Sequence, residues 1–165
     1  DNGSWGGPSH SLAGAGPINE DWISVAGGDG FVCRVDPFDP DLVYYESQDG
    51  NIQRRHLKTG QRWSIRPRPE PGKRFRFNWN TPFILSSHNP GIFYSGGNYV
   101  FRSVKQGDDL KIISPEIART GRGTATALAE SPRNPDVLWV GTDDGNLWVT
   151  RNGGSEWTNV AGKVG

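Results

Sequence analysis

The residues able to do chemistry sit mostly in turns. Asp143, in Trp139-Val140-Gly141-Thr142-Asp143-Asp144-Gly145, is a turn carboxylate to be weighed for acid–base work. Glycoside hydrolysis needs two facing carboxylates. The matching turn earlier in the chain carries Gln48, and no residue of the intervening turn fits. Asp143 is therefore a weak catalytic candidate, and its residue type and setting read first as a turn former. Trp79 lies between Asn78 and Asn80, close to Arg76. Such a group can stack on a sugar or clamp a carboxylate-bearing peptide, or simply cover a sheet edge. His10, His56 and His88 have no metal-ligand spacing, so no metal site is expected. Gly14-Ala15-Gly16 and Gly121-Arg122-Gly123 lack the third glycine and following helix of a dinucleotide loop, and no cofactor is expected. Cys33 stands alone between Val32 and Arg34 and reads as a buried thiol rather than a nucleophile.

Composition narrows the classes further. Eighteen basic residues balance eighteen acidic ones, which gives no general attraction to nucleic acid or to an anionic membrane. The basic stretch from Arg62 to Arg76, with Arg66, Arg68, Lys73 and Arg74 among prolines, reads as a solvated connecting loop. No apolar run is long enough to span a bilayer. The chain has 23 Gly and 12 Pro, with apolar area supplied by 7 Trp, 7 Phe and 4 Tyr, the profile of an all-β protein with many short strands. It has no methionine and no signal peptide, and is read as an excised or mature fragment.

The elements that must position these residues repeat. Gly60, Gly107 and Gly154 are 47 residues apart at each step, as are Trp63, Leu110 and Trp157. Each unit reads as four strands. The first is 31–35, 81–85 or 126–129, followed by an Asp/Asn-Pro turn. The second is 42–45, 92–94 or 137–140, followed by a tight turn at Asp49-Gly50-Asn51, Gly97-Asn98 or Asp144-Gly145-Asn146, where positive φ is expected. The third strand runs to Arg55, Arg102 or Val149, and the fourth starts at Trp63, Leu110 or Trp157. Cys33, Phe83 and Leu128 are expected to be equivalent buried positions on the innermost strands. Residues 1–26 match the last two strands of such a unit. Four short strands bury their faces only by stacking around an axis. The expected fold is all-β, about 3.5 blades of a larger, seven-bladed β-propeller: a half blade at 1–26 and blades at 27–66, 67–114 and 115–165.

One turn carries a family signature. Thr150-Arg151-Asn152-Gly153-Gly154-Ser155-Glu156-Trp157 resembles the Asp-box, Ser/Thr-x-Asp-x-Gly-x-x-Trp. Its hydroxyl and amide oxygens can accept backbone N–H groups, its glycine can turn left-handed, and its tryptophan can pack between sheets. The copy from Ser103 keeps Ser103 and Gly107 but has Lys105 and Leu110; the copy from His56 keeps only Gly60 and Trp63. With the stretches GGDGFVCRVDPFDPDLVYYESQDGN and RFNWNTPFILSSHNPGIFYSGGNYVFRS, the chain resembles the sortilin-type, BNR/Asp-box propellers of large secreted bacterial proteins, often called glycosyl-hydrolase-like. The resemblance implies a secreted or periplasmic location and a longer propeller. It implies no single activity.

In such a fold the rim formed by the strand two-to-three and four-to-one loops surrounds the central channel. It would collect Asp29, Gln48, Asp49, Arg76, Asn78, Trp79, Asn80 and Asp144, together with Arg74, Asn98, Arg119, Arg122 and Asp143. Within the resemblance, Asp143 fits the turn in which xyloglucan-cleaving hydrolases carry an aspartate. Sialidase chemistry needs an arginine triad, and Arg55 and Arg102 head for the opposite rim. The leading function expected is a non-catalytic recognition scaffold whose rim binds a peptide, protein or glycan. The alternatives are a glycoside hydrolase with its second carboxylate outside this chain, or a structural repeat of a large secreted protein. The remaining blades of the same propeller, or a second copy, are the expected partners.

Overall fold

In the computed structural model, residues 2–10, 14, 16–69 and 71–163 are described. Among the described residues, fourteen strands build four antiparallel sheets, taken in chain order. The first sheet pairs β1 (Ser4–Gly6) with β2 (Ile23–Ala26). The second contains β3 (Cys33–Val35), β4 (Leu42–Ser47), β5 (Asn51–His56) and β6 (Arg62–Ser64), in that order. The third contains β7 (Phe83–Leu85), β8 (Phe93–Gly96), β9 (Val100–Ser103) and β10 (Lys111–Ile112). The fourth contains β11 (Ala125–Ser131), β12 (Asn134–Thr142), β13 (Leu147–Thr150) and β14 (Thr158–Asn159). The only helical pieces among the described residues are three-residue 3₁₀ turns.

The sheets pack face to face through shared apolar clusters. Leu42, Tyr44, Ile52 and Ile65 of the second sheet meet Phe83 and Phe93 of the third. Tyr44 stacks on Phe93 with centroids 6.1 Å apart, and Phe83 lies 5.5 Å from the same ring. Val100, from the third sheet, meets Ala125 and Val140 of the fourth through Ile117. Val25 of the first sheet packs on Val43 and Tyr45 of the second. All six residues of β4 are buried, because sheets cover both of its faces.

The register makes Cys33, Phe83 and Leu128 equivalent, opposite Tyr45, Ser95 and Val140. Only Phe83 is fully buried; Cys33 and Leu128 are half-buried. Phe83 lies between two complete sheets, whereas Cys33 faces the two-stranded sheet and Leu128 belongs to the last one.

Two turn expectations are corrected. Positive φ occurs at Asp49, Gly50 and Gly145 but not at Gly97. Gly97 is needed for close approach instead: a Cβ there would lie 2.5 Å from the Arg76 carbonyl oxygen and 3.0 Å from the Phe77 ring. In the fourth sheet the Asn-Pro pair does not form the turn. Asn134 pairs with Ser131, so the chain reverses at Pro132-Arg133. Pro135 is accommodated beside a register shift, where no ladder N–H is required. Asp1 lies outside the described residues, but Gly3 has a φ of 73°, as the two-to-three turn requires.

The turns between third and fourth strands show how the sequence closes each sheet. Thr150 Oγ1 accepts from Asn152 N and Gly154 N, and Asn152 Oδ1 accepts from Glu156 N at 2.9 Å. Trp157 Nε1 donates to the Ile113 carbonyl of the preceding sheet at 2.6 Å. The copy at 103–110 has the same glycine geometry but a different acceptor. Ser103 Oγ accepts from Lys105 N and Gly107 N, while Asp109, two residues beyond the glycine, accepts from Ser103 Oγ, Val104 N and Lys105 N. The Ser103 hydroxyl, with the backbone N–H groups of Val104 and Lys105, holds the Asp109 carboxyl below its ordinary range despite the opposing effect of burial. Asp109 thus substitutes for the acidic position occupied by Lys105. Asn152→Ala and Asp109→Ala should each cost about 1 kcal/mol, as for a lost side-chain cap. Gly154→Val should cost more, because φ there is 96° and a Cβ would lie 2.8 Å from the Ile113 carbonyl oxygen. Urea denaturation checks the order; a Gly154→Val loss smaller than that of Asn152→Ala would contradict the turn geometry.

Candidate functional site

The two-to-three turns and the loops that enter each sheet lie together on one rim, where their polar side chains meet over long sequence separations. Asp143 Oδ1 accepts from Thr124 N at 2.8 Å; Oδ2 accepts from Thr124 Oγ1 at 3.0 Å and from Asn78 Nδ2 at 3.2 Å. Asn78 Oδ1 in turn accepts from Asn80 N, and its carbonyl accepts from Thr81 Oγ1. Asp144 Oδ2 accepts from Arg119 N, Thr120 N and Thr120 Oγ1, and Oδ1 accepts from Thr142 Oγ1. Burial pushes the Asp144 carboxyl up, but the hydrogen bonds from Thr142 and Thr120 outweigh it and leave the group below its usual range. Both oxygens of both aspartates are therefore engaged in fixing loops.

The third sheet's turn is anchored through Asn98, which is completely buried. Its Oδ1 accepts from Arg76 N, and its Nδ2 donates to the Arg74 carbonyl and to Glu116. Arg76 Nη2 donates to Glu116 Oε1 at 2.6 Å and reaches the carbonyls of Thr120 and Gly123. The Arg76 guanidinium is the main reason the Glu116 carboxyl lies below its ordinary range. Gln48 reaches Asp29 across the first junction. Asp49 N donates to the Trp79 carbonyl, while the Asp49 and Trp79 side chains remain exposed.

The sequence-derived set thus divides. Asp29 with Gln48, Arg76, Asn78 with Asn80, and Asp144 join networks that hold loops in place. Asp49 and Trp79 face solvent. Arg55 and Arg102 do not converge: Arg55 Nη1 donates to the Ser24 and Val25 carbonyls, and Arg102 Nη1 to that of Gly153. Among the described residues, no cluster of three His, Cys, Asp or Glu is arranged to hold a metal.

The residues 62–76 are more than a solvated loop. Arg66, Arg74 and Arg76 join Arg122, Asp49, Phe75 and Phe77 around an open groove of about 570 Å³. The alternation Arg74-Phe75-Arg76-Phe77 was the available signal. Phe75 packs edge-on against Phe101 at 4.9 Å, and the Arg66 guanidinium lies 5.2 Å over the Phe77 ring.

Sequence reasoning also missed Glu46, which points into the junction between the second and third sheets and is completely buried. Oε1 accepts from Thr81 N at 3.3 Å, and Oε2 has no partner. Burial pushes its carboxyl up to about 7, against backbone hydrogen bonds from Thr81 and Gly50, with Asp49 adding repulsion.

No family model matches the sequence, and no curated protein matches it. Solved structures do. The GH74 xyloglucanase from Xanthomonas campestris superposes with a TM-score of 0.59 at 17% identity, over 82% of this chain and 23% of that one. The GH74 enzyme of Niastella koreensis gives 0.57 at 16% identity, over 84% of this chain and 24% of that one. YCF48 from Cyanidioschyzon merolae gives 0.51 at 18% identity, over 79% of this chain and 36% of that one. The class defined is a β-propeller, of which this chain forms an arc of consecutive sheets. It spans about a quarter to a third of the length of these structures, and at such identities the likeness is one of fold alone.

Proposed function

We propose that the protein is a non-catalytic recognition scaffold, whose rim of two-to-three and four-to-one loops binds a peptide, protein or glycan. One observation carries this reading: Asp143, the weak catalytic candidate, and its neighbour Asp144 have all four oxygens committed to loop hydrogen bonds. A glycosidase needs one carboxyl free to give a proton and a second facing it. The exposed Trp79 and the arginine groove supply contact surface on the same rim. The remaining blades of a propeller, in the same protein, complete the ring in this reading.

A second reading has its own support. The turn bearing Asp143 and the superposition on GH74 enzymes, one of them a xyloglucanase, favour a glycoside hydrolase whose second carboxylate lies outside this chain. Binding of the intact protein to glycan and peptide arrays tests the proposal. The expected result is saturable retention of one ligand class, lost on Trp79→Ala or on substitution of the groove arginines. Retention unaffected by every rim substitution would overturn it.

A further inference from the structure

We infer that the groove lined by Arg66, Arg74, Arg76 and Arg122 takes an acidic glycan, a chain of uronate sugars, with Trp79 as a stacking platform at its edge. The inference rests on the rim being a recognition surface and names the ligand of that surface.

Charge comes first. Four guanidinium groups line the groove against one carboxylate, Asp49. Arg74 and Arg122 are exposed, and neither has an acidic partner among the described residues. Arg76 is held by Glu116 and two carbonyls, so one cation is fixed while two at the surface remain available. In a chain of zero net charge, this local excess of exposed guanidinium groups favours an anionic ligand. Guanidinium forks match carboxylates two bonds at a time.

The backbone argues for sugar over peptide. A peptide laid along a groove is commonly held by main-chain hydrogen bonds to a strand edge. Here the segment 74–77 is outside any strand. The Arg74 carbonyl and both main-chain groups of Arg76 are already taken by Asn98. The groove therefore offers a ligand side-chain donors and aromatic surface, with little main chain to pair. Phe75 and Phe77 form part of its wall; Trp79, two residues further on, is exposed, and its carbonyl accepts from the N–H of the groove residue Asp49. The exposed Trp79 ring for the C–H surface of a sugar and guanidinium forks for its carboxylate suit a uronate polymer.

The test is calorimetric binding of the intact protein to a galacturonate oligomer, a neutral xyloglucan oligomer and a poly-glutamate peptide, at low and at 0.5 M salt (about a 4 Å screening length). The expected result is binding to the galacturonate oligomer alone, weakened severalfold by salt, at least tenfold by Arg74→Ala with Arg122→Ala, and less by the double lysine variant. Both arginines are exposed, so the melting temperature should not move. Equal binding to poly-glutamate, no galacturonate binding, or binding indifferent to the double substitution would each overturn the inference. If xyloglucan or the peptide binds instead, the recognition reading survives and the acidic-glycan reading fails. Release of new reducing ends from a bound glycan would do the reverse.

Discussion

Glu46→Gln should make the protein more stable at pH 8 while leaving its stability at pH 4.5 nearly unchanged. Glu46 is wholly buried between two sheets, with one oxygen on Thr81 N and the other without a partner. Burial raises its carboxyl to about 7 from an ordinary value of 4.5. The folded state therefore holds a proton that the unfolded chain has lost. A group shifted in this direction contributes fully below its unfolded pKa, and that contribution is lost as pH rises through the folded one. Stability should fall from about pH 4.5 to about pH 7 and level off above. At about 1.4 kcal/mol per pH unit, the loss is on the order of 3 kcal/mol. Glutamine keeps the shape and the acceptor on Thr81 but cannot ionise, so its stability should be flat across that window. Asp109, Asp144 and Glu116 are shifted the other way. Their contributions are present above their unfolded values and disappear only in more acidic solution, so the two effects separate on the pH axis. Urea unfolding between pH 5 and 8 measures the difference. Parallel pH profiles for wild type and variant would show that Glu46 is relieved by water or by movement of the 77–81 segment.

Phe93→Ala should be the most damaging single core substitution. Its side chain is fully buried and sits against Tyr44 and Phe83, at the junction of the second and third sheets. Removing a buried phenylalanine loses its transfer energy and leaves a cavity, together roughly 3–5 kcal/mol. The stacked sheets have few routes to collapse around the gap, because β4 and β8 are already covered on both faces. Val104→Ala, at an exposed position, is the matched control and should change stability by no more than about 0.5 kcal/mol. A Phe93→Ala loss below about 1 kcal/mol would mean that the sheets do not share this core.

The sheet order was legible because its punctuation is chemical. Gly60, Gly107 and Gly154 all take positive φ at the same point of three turns, a conformation that glycine adopts at the least cost. Strand-four residues recurred for a packing reason: Leu110 and Trp157 both reach back onto the preceding sheet. The rim was legible as a set of loops but not as a set of contacts. Asn78 and Asp143 are 65 residues apart, and Arg76 and Glu116 are 40 apart. Which of them meet depends on how far one sheet is rotated from the next, which no local pattern states. Glu46 was missed because a glutamate in Val-Tyr-Tyr-Glu-Ser reads as a solvent-facing strand position; both faces of β4 are covered only once the neighbouring sheets are in place. Asp109 was missed because the acidic partner of Ser103 lies beyond the glycine, outside the expected spacing.

On the proposed reading the rim recognises a ligand without cleaving it, with Asp143 as a loop tie. The most direct test is reducing-end release from xyloglucan, polygalacturonate and β-glucan by the intact protein and by its Asp143→Asn variant. The predicted result is no release above the blank from either protein, with the variant melting at a lower temperature because Thr124 N–H, Thr124 Oγ1 and Asn78 lose a carboxylate acceptor. Release by the wild type that disappears in Asp143→Asn, at an unchanged melting temperature, would contradict the claim and make Asp143 a catalytic residue.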